Sequence, residues 1–227
     1  MAGTEWLFFD MGHTFINEDA VWEERYRGLS AMLNAQGRDV TAEEIRDLTV
    51  RYAAEFRKLV EDVNRFYGAG DALFCDPADG SPYPGAGDLL AALAGRYRLG
   101  VVANQAAGTE ERLRNWGLRD CFKIVCSSAE LGVAKPDPRI FEIALEKAGA
   151  APEACFMIGD RLDNDVAPAK RLGMGTVWIR QGFGLCQAVP SPEYEPDYTV
   201  ESFAEAAGLY LRMPEGGPWK YVAFSLC

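Results

Sequence analysis

Polar side chains suited to catalysis follow several apolar segments of this sequence. Asp10, Asn104 and Asp160 each lie close behind an apolar run, Gln105 is next to Asn104, and Lys135 lies in a loop just before a helix start. In an open α/β sheet, ligands bind beyond the carboxyl ends of the strands. If these runs are parallel strands, two acids, an amide and a cation meet at one edge of a sheet.

The chemistry that this set favours is phosphoryl transfer. Two carboxylates at one site repel each other unless a cation lies between them, and a hard cation with oxygen ligands, Mg²⁺ above all, meets that need. Lys135 and the metal would screen the charge of a phosphorylated substrate, which otherwise opposes attack by an anionic nucleophile such as Asp10. A single strand-end acid is commonly a helix cap, so the prediction depends on the recurrence of such residues at successive strand ends.

The elements that must position these residues alternate between strands and helices. The first apolar run, 6–9, is continuous, which is typical of a strand buried on both faces. After Pro84 the sequence predicts strands at 99–103, 123–126, 155–158 and 176–179 and helices at 87–93, 110–116, 138–148, 164–172 and 202–211. This alternation predicts an α/β fold with a doubly wound parallel sheet and a Rossmann-like core.

Between the first strand and Pro84 the pattern is helical, which predicts a small all-helical domain inserted into the core. We expect helices at 21–36 and from Thr41 to about 66, with Thr41 and Glu44 forming a capping box. The predicted domains are residues 17–80 for the helical insertion and residues 1–16 with 81–227 for the core. Residues 212–227 are expected to form an irregular tail.

Charge and cysteine usage exclude several classes of function. The net charge of −11 disfavours nucleic acid and anionic lipid as partners, since both are polyanions. The six cysteines form no C-x-x-C pair and match neither a zinc site nor a compact disulfide framework. The sequence shows neither a signal-peptide pattern nor a stretch long enough to span a membrane. We therefore expect a cytoplasmic protein that acts on a small molecule, with its oligomeric state left open.

Four parts of the sequence resemble motifs of the haloacid dehalogenase (HAD)-like hydrolases. The first motif, D-x-D-x-T, resembles FFDMGHTF at 8–15, the third resembles AKPDPRIF at 134–141, and the fourth resembles MIGDRLDNDV at 157–166. The approach to the second motif is similar to YPGAGDLLAAL and RLGVVAN, which ends at Asn104. These matches run in order from residue 6 to about 180, and the helical insertion takes the place of the cap that follows the first motif in this family.

The resemblance implies a Mg²⁺-dependent phosphatase that works through an aspartyl-phosphate. Asp10 would attack the phosphorus, and water would then hydrolyse the covalent intermediate. Asp10, Asp160 and the backbone carbonyl of Gly12 would hold Mg²⁺, and Lys135 would bridge Asp10 and the phosphoryl oxygens. Asp165 would orient Lys135 or a metal-bound water.

The resemblance also implies supporting roles for residues around this centre. Asn104, together with Lys135 and the loop at Gly12 and His13, would bind the phosphate, and Asn164 would belong to the same network as Asp165. The helical cap would close over the site and exclude water.

Two positions depart from the family pattern in ways that weaken a phosphatase. Gly12 stands where the second motif-one aspartate normally protonates the leaving group and later activates water, help worth about 10²- to 10⁴-fold. Ala103 stands where a Ser or Thr normally binds the phosphate. From the sequence we expect the substitution Gly12→Asp to raise the rate on an alkyl phosphate.

A third departure is His13, which replaces the usual glycine. Its imidazole, with an ordinary pKa near 6.5, is one candidate to replace the missing acid. The other interpretation is structural, because histidine tolerates a positive φ better than most residues.

Three alternatives to a phosphatase stay open. The dehalogenase branch works without metal and is disfavoured, because Asp160 resembles a metal ligand. A phosphonatase-like C–P hydrolase would need a cap lysine to form an imine, and Lys58 is the only lysine in the insertion. A degenerate member of the family would bind metal or a phosphorylated ligand without turnover.

Overall fold

The apolar runs of the sequence become the strands of one parallel sheet. The structure is a computed structural model that describes residues 5–72, 74–76 and 80–212. The strands are β1 (Trp6–Phe9), β2 (Ile16–Asn17), β3 (Ser81–Pro82), β4 (Arg98–Ala103), β5 (Phe122–Ser127), β6 (Cys155–Gly159), β7 (Gly175–Ile179) and β8 (Tyr198–Val200). All but β2 and β3 lie in a six-stranded parallel sheet of order β5-β4-β1-β6-β7-β8.

Helices cover both faces of this sheet, which confirms the predicted doubly wound α/β fold. The helices are α1 (Asp19–Ala35), α2 (Ala42–Ala54), α3 (Leu59–Tyr67), α4 (Ala86–Ala94), α5 (Thr109–Asn115), α6 (Ser128–Leu131), α7 (Pro138–Ala148), α8 (Ala167–Arg171) and α9 (Phe203–Arg212). Buried side chains of α4 and α9 pack on one face, and those of α7 and α8 pack on the other.

The central strand, β1, explains why its sequence is apolar at every position. Leu7 and Phe9 point into the cluster on one face of the sheet, and Trp6 and Phe8 point into the cluster on the other. Because successive side chains of a strand alternate between faces, a strand covered on both sides must be apolar throughout. All four side chains are at most 4% exposed, so β1 fixes the position of Asp10 rigidly.

The helical insertion differs from the prediction at one point. The single helix expected from Thr41 to about 66 is two helices, because the chain breaks between α2 and α3 at Phe56, whose φ is 58°. A left-handed conformation is uncommon for a bulky residue such as Phe, so the sequence does not predict a helix break at this position. The Phe56 ring stacks on Tyr194 with centroids 5.1 Å apart, a contact with the core that the insertion alone does not supply.

The predicted cap of α2 is present, and α7 is capped as well. The side chain of Thr41 accepts a hydrogen bond from the backbone N–H of Glu44, and the Glu44 carboxylate accepts one from the backbone N–H of Thr41. Asp137 accepts a hydrogen bond from Arg139 N at the start of α7. These caps satisfy backbone donors that the first turn of a helix leaves free.

Some elements depart from the sequence prediction in smaller ways. The two-residue strands β2 and β3 pair antiparallel at the base of the insertion, and β8 adds a sixth strand; none of the three was predicted. The helix expected at 164–172 is a π-helical turn, 162–166, followed by α8. The expected tail lies outside the described residues beyond Arg212, and no described helix is long and apolar enough to cross a membrane.

We expect the substitution Thr41→Ala to lower the free energy of unfolding by about 1 kcal/mol, because it removes the side-chain oxygen that caps α2. Urea denaturation followed by circular dichroism measures the change. Asp47→Ala, at an exposed mid-helix position of α2, is the matched control and should be neutral or slightly stabilising. Equal losses in both variants would contradict the role of the cap.

Candidate active site

The loop after β1 presents Asp10 at the carboxyl edge of the sheet. Asp10 N donates to Ile158 O at 2.9 Å, which extends the pairing of β1 with β6 by one residue. The next residues fold into a tight turn in which the carbonyl of Met11 accepts from the backbone N–H groups of Thr14 and Ile16. The carboxylate of Asp10 therefore projects from a rigid strand end into a cleft.

Lys135 forms the ion pairs at the centre of this cleft. Its Nζ lies 2.6 Å from Asp10 Oδ1 and 2.5 Å from Asp165 Oδ1. Burial by itself would lower the pKa of Lys135, but the negative charges of Asp10 and Asp165 outweigh it and raise that pKa to about 12. Lys135 is therefore an ammonium ion at neutral pH and neutralises part of the local negative charge.

Asn104 holds the backbone of Lys135 in place. Its Nδ2 donates to Lys135 O at 2.9 Å, and its Oδ1 accepts from Lys135 N at 2.7 Å. Both ends of the amide are thus occupied by the lysine loop. The phosphate-binding role of Asn104 stays a prediction. Its side-chain contacts in the structure hold the backbone of Lys135.

Asp10, Asp160 and Asp165 form a cluster whose chemistry fits a divalent cation. Each offers a carboxylate oxygen, and these oxygens lie within 4.8 Å of one another. Asp165 already uses both oxygens, one with Lys135 and the other to accept from Arg161 N at 2.9 Å. Burial, followed by the charges of Asp10 and Asp165, raises the pKa of Asp160 well above its usual value. Hard oxygen donors and uncompensated negative charge are what Mg²⁺ requires.

The space beside Gly12 is occupied by the carboxyl group of Glu18, a residue that the sequence patterns did not indicate. A Cβ built on Gly12 would overlap the carboxyl group of Glu18, 2.6 Å from its Cδ. Oε1 of Glu18 accepts a hydrogen bond from Gln105 Nε2 at 2.9 Å. Burial raises the pKa of Glu18 to about 7, and the charge of Asp10 adds to the rise while the bond from Gln105 opposes it. Because Glu18 follows the short strand β2, no local pattern in the sequence marked it.

His13 lies in the turn in the way that the structural interpretation requires. Its φ is 49°, and its ring packs edge-on against Phe183 with centroids 5.4 Å apart. Nδ1 is 3.8 Å from Asp19 Oδ1, beyond hydrogen-bond distance, and burial lowers the pKa of the imidazole. Gly182 makes room for the ring, since a Cβ there would lie 2.5 Å from the Cβ of His13. These contacts favour a packing role over the acid–base role.

The π-helical turn at 162–166 connects the site to the helical insertion. Asn164 lines the cleft, and its neighbour Asp163 accepts two hydrogen bonds from the buried guanidinium of Arg161, at 2.9 and 2.6 Å. Gln187 donates both to Asp163 Oδ1 at 2.8 Å and to Ala53 O at the end of α2, at 3.0 Å. Arg161 and Gln187 were not identified from the sequence.

The cleft itself lies between the core and the helical insertion, with a volume of about 1070 Å³. The core contributes the charged floor at Asp10, Lys135 and Asp160, and the insertion contributes side chains such as Trp22 and Lys58. This volume lies just above the usual range for small-molecule pockets, about 300–1,000 Å³. The arrangement thus brings the strand-end carboxylate of Asp10, the ammonium of Lys135 and a cluster of carboxylates suited to a cation into one pocket.

Comparison with known proteins agrees with this geometry. The family profile described as haloacid dehalogenase-like hydrolase matches residues 4–173. Pyrimidine 5'-nucleotidase YjjG of Escherichia coli (strain K12) is 30% identical over 231 residues, which cover 92% of this chain and 98% of the relative. Glyceraldehyde 3-phosphate phosphatase of Methanocaldococcus jannaschii is 30% identical over 217 residues, 88% of this chain and 93% of the relative.

A solved structure shows the same fold. YfnB from Bacillus subtilis, in an orthorhombic crystal form bound to magnesium, superposes with a TM-score of 0.70 at 24% sequence identity. The match covers 93% of this chain and 100% of the YfnB chain. At this identity the similarity bears on the fold alone.

We expect Lys135→Met to destabilise the metal-free protein by about 3–5 kcal/mol, because it leaves the buried carboxylate of Asp165 and the partly buried carboxylate of Asp10 without their cation. Urea unfolding in the presence of a chelator measures the loss. Lys147→Met, at an exposed position of α7, is the matched control and should change stability by less than about 1 kcal/mol. A loss no larger than that of the control would show that Lys135 does not hold the cluster together.

Proposed function

The chain belongs to the haloacid dehalogenase-like hydrolase family, and on that basis we propose that it is a Mg²⁺-dependent phosphatase acting on a small phosphorylated molecule through an aspartyl-phosphate on Asp10. The observation that carries the proposal is the contact between Asp10 and Lys135, at 2.6 Å, at the carboxyl end of the central strand. A nucleophile beside a fixed ammonium is suited to attack on an anionic phosphoryl group.

Each charged group around Lys135 has a role in the proposed reaction. Asp10 attacks the phosphorus, and Lys135 neutralises charge on the phosphoryl oxygens while Asp165 holds its ammonium in place. Asp10, Asp160 and the backbone carbonyl of Gly12 would hold Mg²⁺, which supplies positive charge that lowers the repulsion between nucleophile and substrate. Asn104 holds the backbone of Lys135 in place through two hydrogen bonds.

We propose that the helical insertion, residues 17–80, acts as a cap over the core formed by residues 1–16 and 81–227. Support comes from the position of the cleft between the two parts and from the contact of Trp22 with Phe183, whose ring centroids are 4.7 Å apart. Closure of such a domain excludes water from the phosphoryl group before attack. The cytoplasmic location expected from the sequence stays a prediction.

The substrate class is proposed from the pocket and the relatives together. The relatives named above act on a pyrimidine nucleotide and on a phosphorylated triose. The cleft is lined by the rings of Trp22, Phe56 and Tyr194 as well as by Arg57, groups that suit a planar or sugar-bearing phosphate ester. We therefore propose nucleoside monophosphates and sugar phosphates as the first substrates to test.

One observation favours a second candidate, the phosphonatase-like C–P hydrolase. Lys58, the only lysine of the insertion, is exposed at the start of α3 and lines the cleft. An imine between Lys58 and a carbonyl-bearing phosphonate would be trapped by borohydride as a covalent adduct. The Lys58→Ala variant distinguishes the two candidates, because a phosphatase keeps its activity on phosphate esters without this amine.

We expect Asp10→Asn to reduce Mg²⁺-dependent hydrolysis of an aryl phosphate by at least about 10³-fold, since it removes the nucleophile. Release of the phenolate followed by absorbance measures the rate. Asp88→Asn, at an exposed position of α4, is the control and should keep the wild-type rate. Undiminished hydrolysis by Asp10→Asn would exclude an aspartyl-phosphate on Asp10. It would then favour a protein that binds metal or a phosphorylated ligand without turnover.

We also expect Mg²⁺ at about 100 times its Kd to stabilise the protein by about 2.7 kcal/mol, which raises Tm by roughly 5–10 °C in a chain of this size. Asp160→Asn should abolish the shift without destabilising the metal-free protein, because it removes a buried negative charge from the cluster. Differential scanning fluorimetry measures both. A full Mg²⁺ shift in Asp160→Asn would place the cation elsewhere.

A further inference from the structure

The carboxyl group of Glu18 occupies the space above Gly12, inside the cleft and beside the proposed nucleophile. Glu18 lies between β2 and α1, and its side chain turns back over the loop that follows Asp10. Any side chain at position 12 would begin within that carboxyl group, 2.6 Å from Cδ and 2.9 Å from Oε1. A carboxyl group is therefore present at the side-chain position of residue 12, although residue 12 does not supply it.

The orientation of this carboxyl group is fixed from the core side. Arg112 Nη2 donates to Gln105 Oε1 at 3.2 Å, and Gln105 Nε2 donates to Glu18 Oε1 at 2.9 Å. Because a guanidinium only donates hydrogen bonds, the amide oxygen of Gln105 must face Arg112 and its NH₂ must face Glu18. This chain of hydrogen bonds holds one oxygen of Glu18, and Trp22 also donates a hydrogen bond to the carboxyl group. Oε2 is the atom of Glu18 nearest the Gly12 position.

The other ionisable groups around Asp10 are already occupied. Lys135 is bound between Asp10 and Asp165 and, with its raised pKa, stays protonated. Asp160 belongs to the cation site, and the ring of His13 is packed against Phe183 and Gly182. Among the described carboxyl groups that line the cleft next to Asp10, Glu18 belongs neither to the ion pairs of Lys135 nor to the cluster of Asp10, Asp160 and Asp165, and only neutral side chains donate hydrogen bonds to it.

We propose that Glu18 is a catalytic residue that gives a proton to the leaving oxygen of the substrate and later takes one from water. This inference deepens the phosphatase proposed above and rests on it. Gly12 has no side chain, and Glu18 places a carboxyl group where an acidic side chain at position 12 would lie. The sequence expectation that Gly12→Asp raises the rate changes accordingly, because a new carboxylate at position 12 would collide with the one already there.

The two steps balance as follows. A carboxylate oxygen of Asp10 forms a bond to phosphorus, the ester P–O bond breaks, and its electron pair goes to the leaving oxygen, which takes the proton of Glu18 and departs as an alcohol. Glu18, now a carboxylate, takes a proton from water as the water oxygen bonds to phosphorus. The P–O bond to Asp10 breaks, its electron pair returns to the carboxylate, and phosphate leaves with Glu18 protonated again.

The decisive experiment compares leaving groups in the variant Glu18→Gln, which keeps the size of the side chain and its acceptor for Gln105. An aryl leaving group departs without protonation, whereas an alkyl group needs the acid. We expect the pre-steady-state burst of phenolate to keep its wild-type rate, followed by slow turnover as the aspartyl-phosphate accumulates. The first turnover of an alkyl phosphate should slow by about 10²- to 10⁴-fold.

Two further variants keep this test decisive. Glu24→Gln, at an exposed position of α1, should behave as wild type with both esters. The double variant Gly12→Asp/Glu18→Ala returns a carboxylate to position 12 after clearing its space, and it should hydrolyse the alkyl ester at least about 10-fold faster than Glu18→Ala. If Glu18 were merely structural, Glu18→Ala would slow both esters alike and leave the ratio of the aryl to the alkyl rate at its wild-type value.

The possible results separate the two proposals. If wild type forms the burst, Asp10→Asn does not, and Glu18→Gln slows both esters equally or neither, the phosphatase stands and the role of Glu18 is overturned. If wild type hydrolyses no ester in the presence of Mg²⁺, both proposals fall together.

Discussion

The ammonium of Lys135 between Asp10 and Asp165 is the interaction on which the site depends. Three carboxylates converge at one buried sheet edge, and charges removed from water repel each other strongly. One lysine offsets only part of that repulsion, so the folded chain keeps an excess of negative charge suited to a divalent cation. The residues around the cluster can be understood as the means by which the fold holds these charges together.

Those supporting residues act through their backbone as much as through their side chains. The side-chain amide of Asn104 binds the backbone N–H and carbonyl of Lys135, and the backbone N–H of Arg161 donates to the second oxygen of Asp165. Gly159 lets Asp165 approach β6, because a Cβ there would lie 2.7 Å from that of Asp165. Each contact constrains a charged group whose displacement would leave a buried charge unpaired, which costs several kcal/mol.

The helical insertion is tied to this charged floor at several points. Gln187 joins the end of α2 to Asp163, the stacked pair Phe56–Tyr194 joins the break after α2 to the core, and Glu18 lies where the chain leaves the core for α1. The proposed acid is therefore carried by the segment that leads into the proposed cap. In this arrangement the completeness of the site depends on where the insertion lies.

The sequence by itself determined five of the six strands of the parallel sheet and the polar residues at its edge, because buried strands, helix caps and strand-end acids show in short-range patterns. From these patterns follow β1, Asp10, Lys135, Asp160 and the cap of α2. Only the tertiary structure decided that α2 and α3 separate at Phe56 and that the side-chain amide of Asn104 binds the lysine loop. It also decided that the carboxyl group of Glu18 occupies the space beside Gly12. These features depend on partners far away in the chain, 87 residues in the case of Glu18 and Gln105. A flexible side chain takes its direction from whichever neighbours the fold brings to it, and no local pattern encodes that choice.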